Sequence, residues 1–149
     1  MNNISIIEYN EKYAATAVKM WRLSKEKALG VKDELHSFEG HLNFVTQYLV
    51  NTDQVFLAIE GETDKVVGII AFDSEWINQL YVDVNYQNSG IGSLLLNHAL
   101  KAIPGPVQLH TFEVNKNAQL FYEKHGFKVI AQGDCDNEEN LPAILYSLE

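Results

Sequence analysis

The sequence predicts an α/β fold of three layers, in which helices cover both faces of a central mixed sheet. Strand and helix patterns follow one another in the order β-α-α-β-β-β-α-β-α-β-β. Hydrophobic residues make up 46% of the chain and charged residues 21%, which is typical of globular proteins. The length of 149 residues is that of one ordinary domain. We therefore expect residues 1–149 to form a single domain.

Short apolar or alternating runs bounded by turn residues predict seven strands. They lie at residues 4–8, 54–60, 65–72, 76–84, 107–112, 127–131 and 143–148. In the fourth strand, strict alternation places Trp76, Leu80 and Val82 on one face and Ile77 and Tyr81 on the other.

Apolar residues at helical spacing predict four helices. The first follows Asn10 and ends at Gly30, and its Tyr13 and Trp21 are expected in the core. The other three lie at residues 38–49, 91–102 and 116–125.

The charge balance bears on partners. Eleven basic residues against twenty acidic ones give a net charge of −9. Such a surface repels phosphate backbones and anionic lipids, so neither nucleic acid nor membrane is an expected partner. It attracts cations such as amines, although the charge also serves solubility alone.

Cysteine use and the start of the chain indicate a compartment. Cys135 is the only cysteine, which excludes an internal disulfide and fits a reducing environment. The first residues lack the basic and apolar stretches of a signal peptide, and no apolar run is long enough to span a membrane. We expect a cytoplasmic protein.

A glycine-rich loop lies between the fourth strand and the third helix. Its residues are Gln87, Asn88, Ser89, Gly90, Ile91, Gly92 and Ser93. The first N–H groups of a helix lack internal partners and carry partial positive charge, so they bind anions. Glycine lets the backbone approach a phosphate closely, and the two serines offer hydroxyl donors. A tight turn is the alternative interpretation.

A second pattern lies at the start of the fourth helix. Asn115 precedes Tyr122 by about two helical turns, so both side chains can face one groove. Asparagine can cap the helix and bind a polar ligand, and a tyrosine hydroxyl can donate a proton to a leaving thiolate. The alternative is that Asn115 is only a cap and Tyr122 only a core aromatic residue.

Together the two segments resemble the GNAT superfamily of N-acetyltransferases. Gln87, Gly90 and Gly92 match its Gln/Arg-x-x-Gly-x-Gly/Ala signature. Its later Asn-x-x-Ala-x-x-x-Tyr-x-x-x-Gly-Phe pattern is matched by Asn115, Ala118, Tyr122, Gly126 and Phe127. The resemblance is strong over residues 76–131, whereas residues 1–53 match only in element pattern.

The resemblance implies a mostly antiparallel sheet that splays open between its fourth and fifth strands, with acetyl-CoA as co-substrate in the opening. Leu80, Tyr81 and Val82 would hold the pantetheine arm and the acetyl carbonyl through their backbone groups, and residues 87–93 would cradle the diphosphate. Asn115 would bind the pantetheine arm, and Tyr122 would protonate the departing thiolate. No metal is required.

The general base stays open. Some family members carry a glutamate where His110 stands, and a neutral imidazole can serve as a base near pH 7. A histidine packed in the core is the alternative for His110. Glu75 is an equal candidate, with Asp73 and Asn78 as rivals near the turn before the fourth strand. Asp134, Asp136, Glu138 and Glu139 form either a site for a cationic acceptor or a solvated acidic loop.

Three functions compete at this point. The first is an N-acetyltransferase that acetylates a primary amine of a small molecule or a protein by direct attack. The second is a non-catalytic acyl-CoA-binding sensor on the same fold. The third is a toxin-like enzyme that acetylates aminoacyl-tRNA, which the net charge opposes. The acceptor, the acyl chain length and the oligomeric state, a homodimer included, remain open.

Overall fold

The computed structural model describes residues 3–149, and two antiparallel sheets form its centre. The first sheet has the order β1-β2-β3-β4, with β1 (Ile4–Glu8), β2 (Gln54–Glu60), β3 (Lys65–Phe72) and β4 (Ile77–Val82). The second sheet has the order β5-β7-β6, with β5 (Val107–Phe112), β6 (Lys128–Asp134) and β7 (Ala143–Leu148). All seven predicted strands are present, and β6 continues three residues beyond its predicted end.

The helices match the predicted positions. They are α1 (Ala14–Leu29), α2 (Phe38–Phe44), α3 (Val50–Thr52), α4 (Ile91–Ala102) and α5 (Lys116–Lys124). A 3₁₀ turn capped by Asn10 leads into α1, and Gly30 ends α1 at a φ of 75°. The predicted helix at 38–49 is instead α2, a π-helical turn (Val45–Leu49) and α3 in succession. Within residues 3–149, no helix combines the length and the apolar character needed to span a bilayer.

Helices cover both faces of the first sheet, which confirms the three-layer prediction. On one face, α1 and the π-helical turn pack on the strands around Trp21, Leu57 and Ile69, and Tyr13 is also buried there as predicted. On the other face, α4 packs on β3. A Cβ atom on Gly68 would lie 2.8 Å from Leu95, so only glycine allows α4 to approach β3 this closely.

The two sheets meet at one end of β4 and β5. Trp76 and Gln108 form a parallel bridge, and the Gln108 N–H donates to the Glu75 carbonyl over 2.9 Å. Beyond this point the described parts of β4 and β5 share no further pairing, and the strands diverge toward their carboxyl ends. The predicted splay between the fourth and fifth strands is therefore confirmed.

A β-bulge near the start of β4 overturns the alternation predicted for that strand. Phe72 pairs with Ile77, whereas the preceding Ala71 pairs with Gln79, so Asn78 is an extra residue on β4. Ile77 therefore belongs to the same core cluster as Leu80, not to the face of Tyr81. The prediction was wrong because one inserted residue reverses the side-chain direction without altering the pattern of residue types.

Candidate active site

Two cavities open from the splay between β4 and β5. The larger one, here called the long groove, has a volume of about 690 Å³. It runs from the start of α4 along residues 80–82 of β4 to α5, and the end of α1 borders it. The smaller one, here called the small cavity, has a volume of about 220 Å³ and lies between β4, β5 and the end of β6.

The glycine loop delivers the start of α4 to the long groove. Gly90 is the residue before α4 and has a φ of 88°, a left-handed conformation that glycine adopts without strain. A Cβ atom at this position would meet nothing within 4 Å, so the backbone faces open space. The unpaired first N–H groups of a twelve-residue helix are thus turned toward a cavity, as an anion site requires.

Gly92 has a different reason to be glycine. Its Cβ atom would lie 3.3 Å from two ring carbons of Phe121 and 3.8 Å from a methyl group of Val82. The missing side chain therefore lets α4 pack closely against α5 beside β4. This packing role was not predicted from the sequence, in which Gly92 was expected only to let a phosphate approach the backbone.

The other loop residues divide into two groups. The side-chain amide of Gln87 donates to the Val82 carbonyl over 3.2 Å, and Gln87 lines the long groove together with Asn88 and Ser93. Ser89 and Ile91 line neither cavity: the Ser89 hydroxyl bonds the Tyr86 carbonyl, and the Ile91 side chain is buried in the core.

The hydrogen-bond pattern of β4 decides which of its main-chain groups face the splay. The Asp83 N–H donates to the Val67 carbonyl of β3 over 2.8 Å. Since bonding alternates along an antiparallel pair, the main-chain groups of Tyr81 also face β3. Those of Leu80 and Val82 face away from β3, toward β5 and the long groove. The main-chain groups of Leu80 and Val82 can therefore bind the pantetheine arm as predicted. Those of Tyr81 cannot, because they face β3, and Tyr81 contributes its side chain instead.

Tyr122 lies where the two cavities meet and lines both. Only 7% of its surface is exposed. Burial raises the pKa of its phenol well above the usual value, and Tyr81 adds to the rise. The phenol therefore stays protonated throughout the neutral range and can act as a hydrogen-bond donor.

Asn115 lines both cavities as well and caps α5, as the sequence predicts. Its side-chain oxygen accepts from the Ala118 N–H over 3.2 Å. The cap uses the oxygen, so the amide nitrogen is the part of Asn115 left to bind a ligand.

His110 and Glu75, the two candidate bases, lie in different places. His110 is exposed, lines the small cavity and stacks on Trp76, with ring centroids 5.2 Å apart and planes at 14°. The alternative of a core histidine is therefore wrong, because residue 110 points away from the buried face of β5. Glu75 is exposed and lines neither cavity.

The two rivals, Asp73 and Asn78, bond each other. Burial acts to raise the pKa of Asp73, but hydrogen bonds from the N–H groups of Glu75 and Trp76 and from Asn78 outweigh it, so the pKa is lowered. Asn78 also donates to Asp53 over 2.9 Å. Asp73 thus stabilises the turn before β4, while Asn78 lines the small cavity.

The two cavities carry opposite charge. Among the described residues that line the long groove, Lys27, Lys116 and Lys124 are basic and none is acidic. The small cavity is lined by Asp134 and Asp136 and, within the same described range, by no lysine or arginine. From the sequence, a site for a cationic acceptor was one of two interpretations of the aspartates. The three lysines were not predicted, because they come from two separate helices. Nor do three or more metal-binding side chains converge anywhere in residues 3–149.

Polar contacts connect the segments at the rim of this region. Lys25 of α1 forms an ion pair with Glu139 over 2.6 Å, and Nε2 of His36 in the following loop forms a hydrogen bond with Glu138 over 3.0 Å. These contacts tie α1 and its loop to the β6–β7 connection. Glu138 and Glu139 therefore have basic side chains as partners, whereas neither aspartate of the small cavity forms an ion pair within residues 3–149.

Comparisons with known proteins agree with this geometry. The family model of the acetyltransferase (GNAT) domain matches residues 51–129. The peptidyl-lysine N-acetyltransferase YjaB of Salmonella typhimurium is 34% identical over 76 residues, which are 51% of this chain and 52% of that protein. The chain thus spans about half the length of the curated relatives it matches.

Solved structures extend the similarity over the whole chain. The solution structure of apo YjaB from Escherichia coli superposes with a TM-score of 0.72 at 25% identity, covering 97% of both chains. The PaiA N-acetyltransferase of Thermoplasma acidophilum, solved in complex with coenzyme A, has a TM-score of 0.73 at 20% identity and covers 99% of both chains. With more than half of its length matched by the family model, the chain belongs to the GNAT family of acetyltransferases.

Proposed function

We propose that this protein transfers the acetyl group of acetyl-CoA to a primary amine by direct attack. The observation that carries the proposal is the position of Tyr122, which lines both the groove that begins at the exposed start of α4 and a second cavity of opposite charge. An anionic donor and a cationic acceptor can therefore approach the same phenol from two sides.

The long groove fits coenzyme A. The N–H groups at the start of α4 face open space beside Gly90, where a diphosphate can approach the backbone. Three lysines surround the groove although the chain as a whole carries a net charge of −9. The main-chain groups of Leu80 and Val82 and the Asn115 amide line the route from there toward Tyr122, where they can bond a pantetheine arm. The related PaiA structure contains coenzyme A, which supports the same ligand here.

Tyr122 would act as the general acid. When bound, acetyl-CoA supplies a thioester that an amine can attack without a covalent bond to the protein. The phenol of Tyr122 holds its proton at neutral pH because the residue is buried. Desolvation disfavours every anion, so the same burial also makes a departing thiolate a stronger proton acceptor. Transfer from Tyr122 then stabilises the developing negative charge.

His110 would act as the general base. An alkyl amine with a pKa of about 10.4 is mostly protonated at neutral pH and must lose a proton before it attacks. The His110 ring lines the small cavity, and stacking on Trp76 holds its plane in place. It can therefore accept that proton directly or through one water molecule. Glu75, the equal candidate on sequence grounds, lies outside both cavities.

The acceptor would be cationic. Asp134 and Asp136 line the cavity from which it approaches, and their charges attract an ammonium group. The Salmonella relative bears the name peptidyl-lysine N-acetyltransferase, so lysine side chains of proteins are the first acceptors to test. A small primary amine fits the same chemistry.

Thiol release from acetyl-CoA tests the proposal. Lysine-containing peptides, polyamines, amino acids and aminoglycosides are supplied in turn, and acetylated products are identified by mass spectrometry. We expect at least one amine to raise thiol release well above the rate without acceptor, with one acetyl group added per thiol. Tight acetyl-CoA binding without release for any amine would instead favour the acyl-CoA sensor.

A further inference from the structure

His125 lies directly behind the long groove without lining it. Its Nε2 atom is 3.0 Å from the Ser93 hydroxyl, and Ser93 does line the groove, in the first turn of α4. His125 is also the residue at which α5 ends, and its ring packs on Phe121 with centroids 4.7 Å apart. The imidazole therefore has a defined position, one hydrogen bond away from the proposed diphosphate site.

Whether Nε2 of His125 carries a proton decides what Ser93 can offer a ligand. The charged ring always carries one there, whereas the neutral ring does so in only one of its two tautomers. If Nε2 carries no proton, it accepts the Ser93 hydroxyl hydrogen, and only oxygen lone pairs face the groove. If Nε2 carries a proton, it donates to the Ser93 oxygen, and the hydroxyl hydrogen is free to bond a phosphate oxygen. A protonated ring also adds a positive charge close to the anion.

The surroundings of His125 favour the neutral ring in the free protein. Partial burial lowers the pKa of His125, and the neighbouring Lys124 lowers it further. The carbonyl groups at the end of α5 favour the charged ring, whereas the positive end of α4 disfavours it. A diphosphate at the start of α4 would add two negative charges on the Ser93 side and so favour the protonated ring.

We propose that His125 couples coenzyme A binding to proton uptake by turning the Ser93 hydroxyl toward the diphosphate when the imidazole becomes protonated. This inference rests on the proposed function, because it assumes that the diphosphate binds at the start of α4. It makes His125 a positioning residue for cofactor binding. Because the bound state then holds more protons than the free state, affinity is highest at low pH and falls as pH rises through the neutral range.

Titration calorimetry with dephospho-CoA tests the coupling. This probe is suited because its diphosphate does not titrate near neutrality, whereas a phosphate monoester has a second pKa of about 6. Binding is measured at pH 6.5 in PIPES and in bis-Tris, whose ionisation enthalpies differ, so the difference in heat reports the protons taken up. We expect the wild-type protein to take up about half a proton and its Kd to rise about fivefold between pH 6 and pH 8.

The variant His125→Gln keeps a side-chain donor near Ser93 but cannot gain a charge. We expect it to bind with no proton uptake and with a Kd that changes less than twofold over the same range. His98→Gln, which alters a histidine that lines neither cavity and packs on Phe56, should behave as the wild type does. Wild-type binding without proton uptake would overturn this inference alone, whereas absence of any coenzyme A binding would overturn the proposed function with it.

Discussion

The long groove and the small cavity share one wall and differ in charge. Leu80, Tyr81, Asn115, Ala118 and Tyr122 line both. Lysines surround one and aspartates the other, in a chain that is acidic overall. Basic and acidic side chains are thus separated between the two cavities, and the net charge of the chain does not reveal this separation. Under the proposed function, the anionic donor and the cationic acceptor would therefore approach Tyr122 from different cavities.

The largest expected effect comes from the residue at the junction. We expect Tyr122→Phe to lower kcat about 100-fold or more, as for loss of a general acid, while the Kd for acetyl-CoA changes less than twofold. Steady-state thiol release and calorimetry give the two values. Tyr13→Phe, which removes a hydroxyl bonded to Asp64 far from the splay, serves as the control. Equal losses in turnover and affinity would mean that Tyr122 is structural.

A smaller effect is expected on the acceptor side. His110→Gln should lower kcat/KM about 30-fold at pH 7, within the range for loss of a general base. Part of the loss should be recovered at pH 9, because more of the amine is then unprotonated. Glu75→Gln is the matched control and should retain near wild-type activity. If Glu75→Gln causes the larger loss, the two residues have been assigned the wrong way round.

Charge reversal in the long groove should separate the two cavities. We expect Lys124→Glu to raise the Kd for acetyl-CoA about tenfold, which corresponds to about 1.4 kcal/mol, and to leave the KM of the acceptor unchanged. Lys101→Glu, at the exposed end of α4 and outside both cavities, should change neither value. A parallel rise in both constants for Lys124→Glu would show that the cavities are not independent.

The complementary change should have the smallest effect. Replacing Asp134 and Asp136 by asparagine keeps the turn hydrogen bond between them but removes both charges. We expect the KM of a cationic acceptor to rise about fivefold, with the Kd for acetyl-CoA unaltered, because exposed charges contribute modestly. Glu11→Gln with Glu62→Gln removes two exposed charges elsewhere and controls for net charge. An unchanged KM would remove the aspartates from the acceptor site.

The features that depend on residues close together in the chain were predicted correctly from the sequence. The strand and helix order, the end of α1 at Gly30, and Asn115 as a cap depend on periodicity and on residues adjacent in the chain. The position of the splay followed from the family resemblance. These features need little knowledge of which segments meet in three dimensions.

The features that form where distant segments meet were not predicted from the sequence. The bulge at Asn78 is visible only when β3 and β4 are paired, and the stacking of His110 on Trp76 only when β4 and β5 lie side by side. The lysines of the long groove come from α1 and α5, and Ser93 meets His125 across 32 residues. No local pattern of residue types encodes such encounters.

Within residues 3–149, one bridge, between Trp76 and Gln108, joins the two sheets at one end of the splay. At the open end of the splay, Gly92 of α4 packs against Phe121, the residue next to Tyr122 on α5. The breadth of the long groove at this end therefore depends on how closely α4 packs on the Phe121 ring, which a methyl group at position 92 would contact at 3.3 Å.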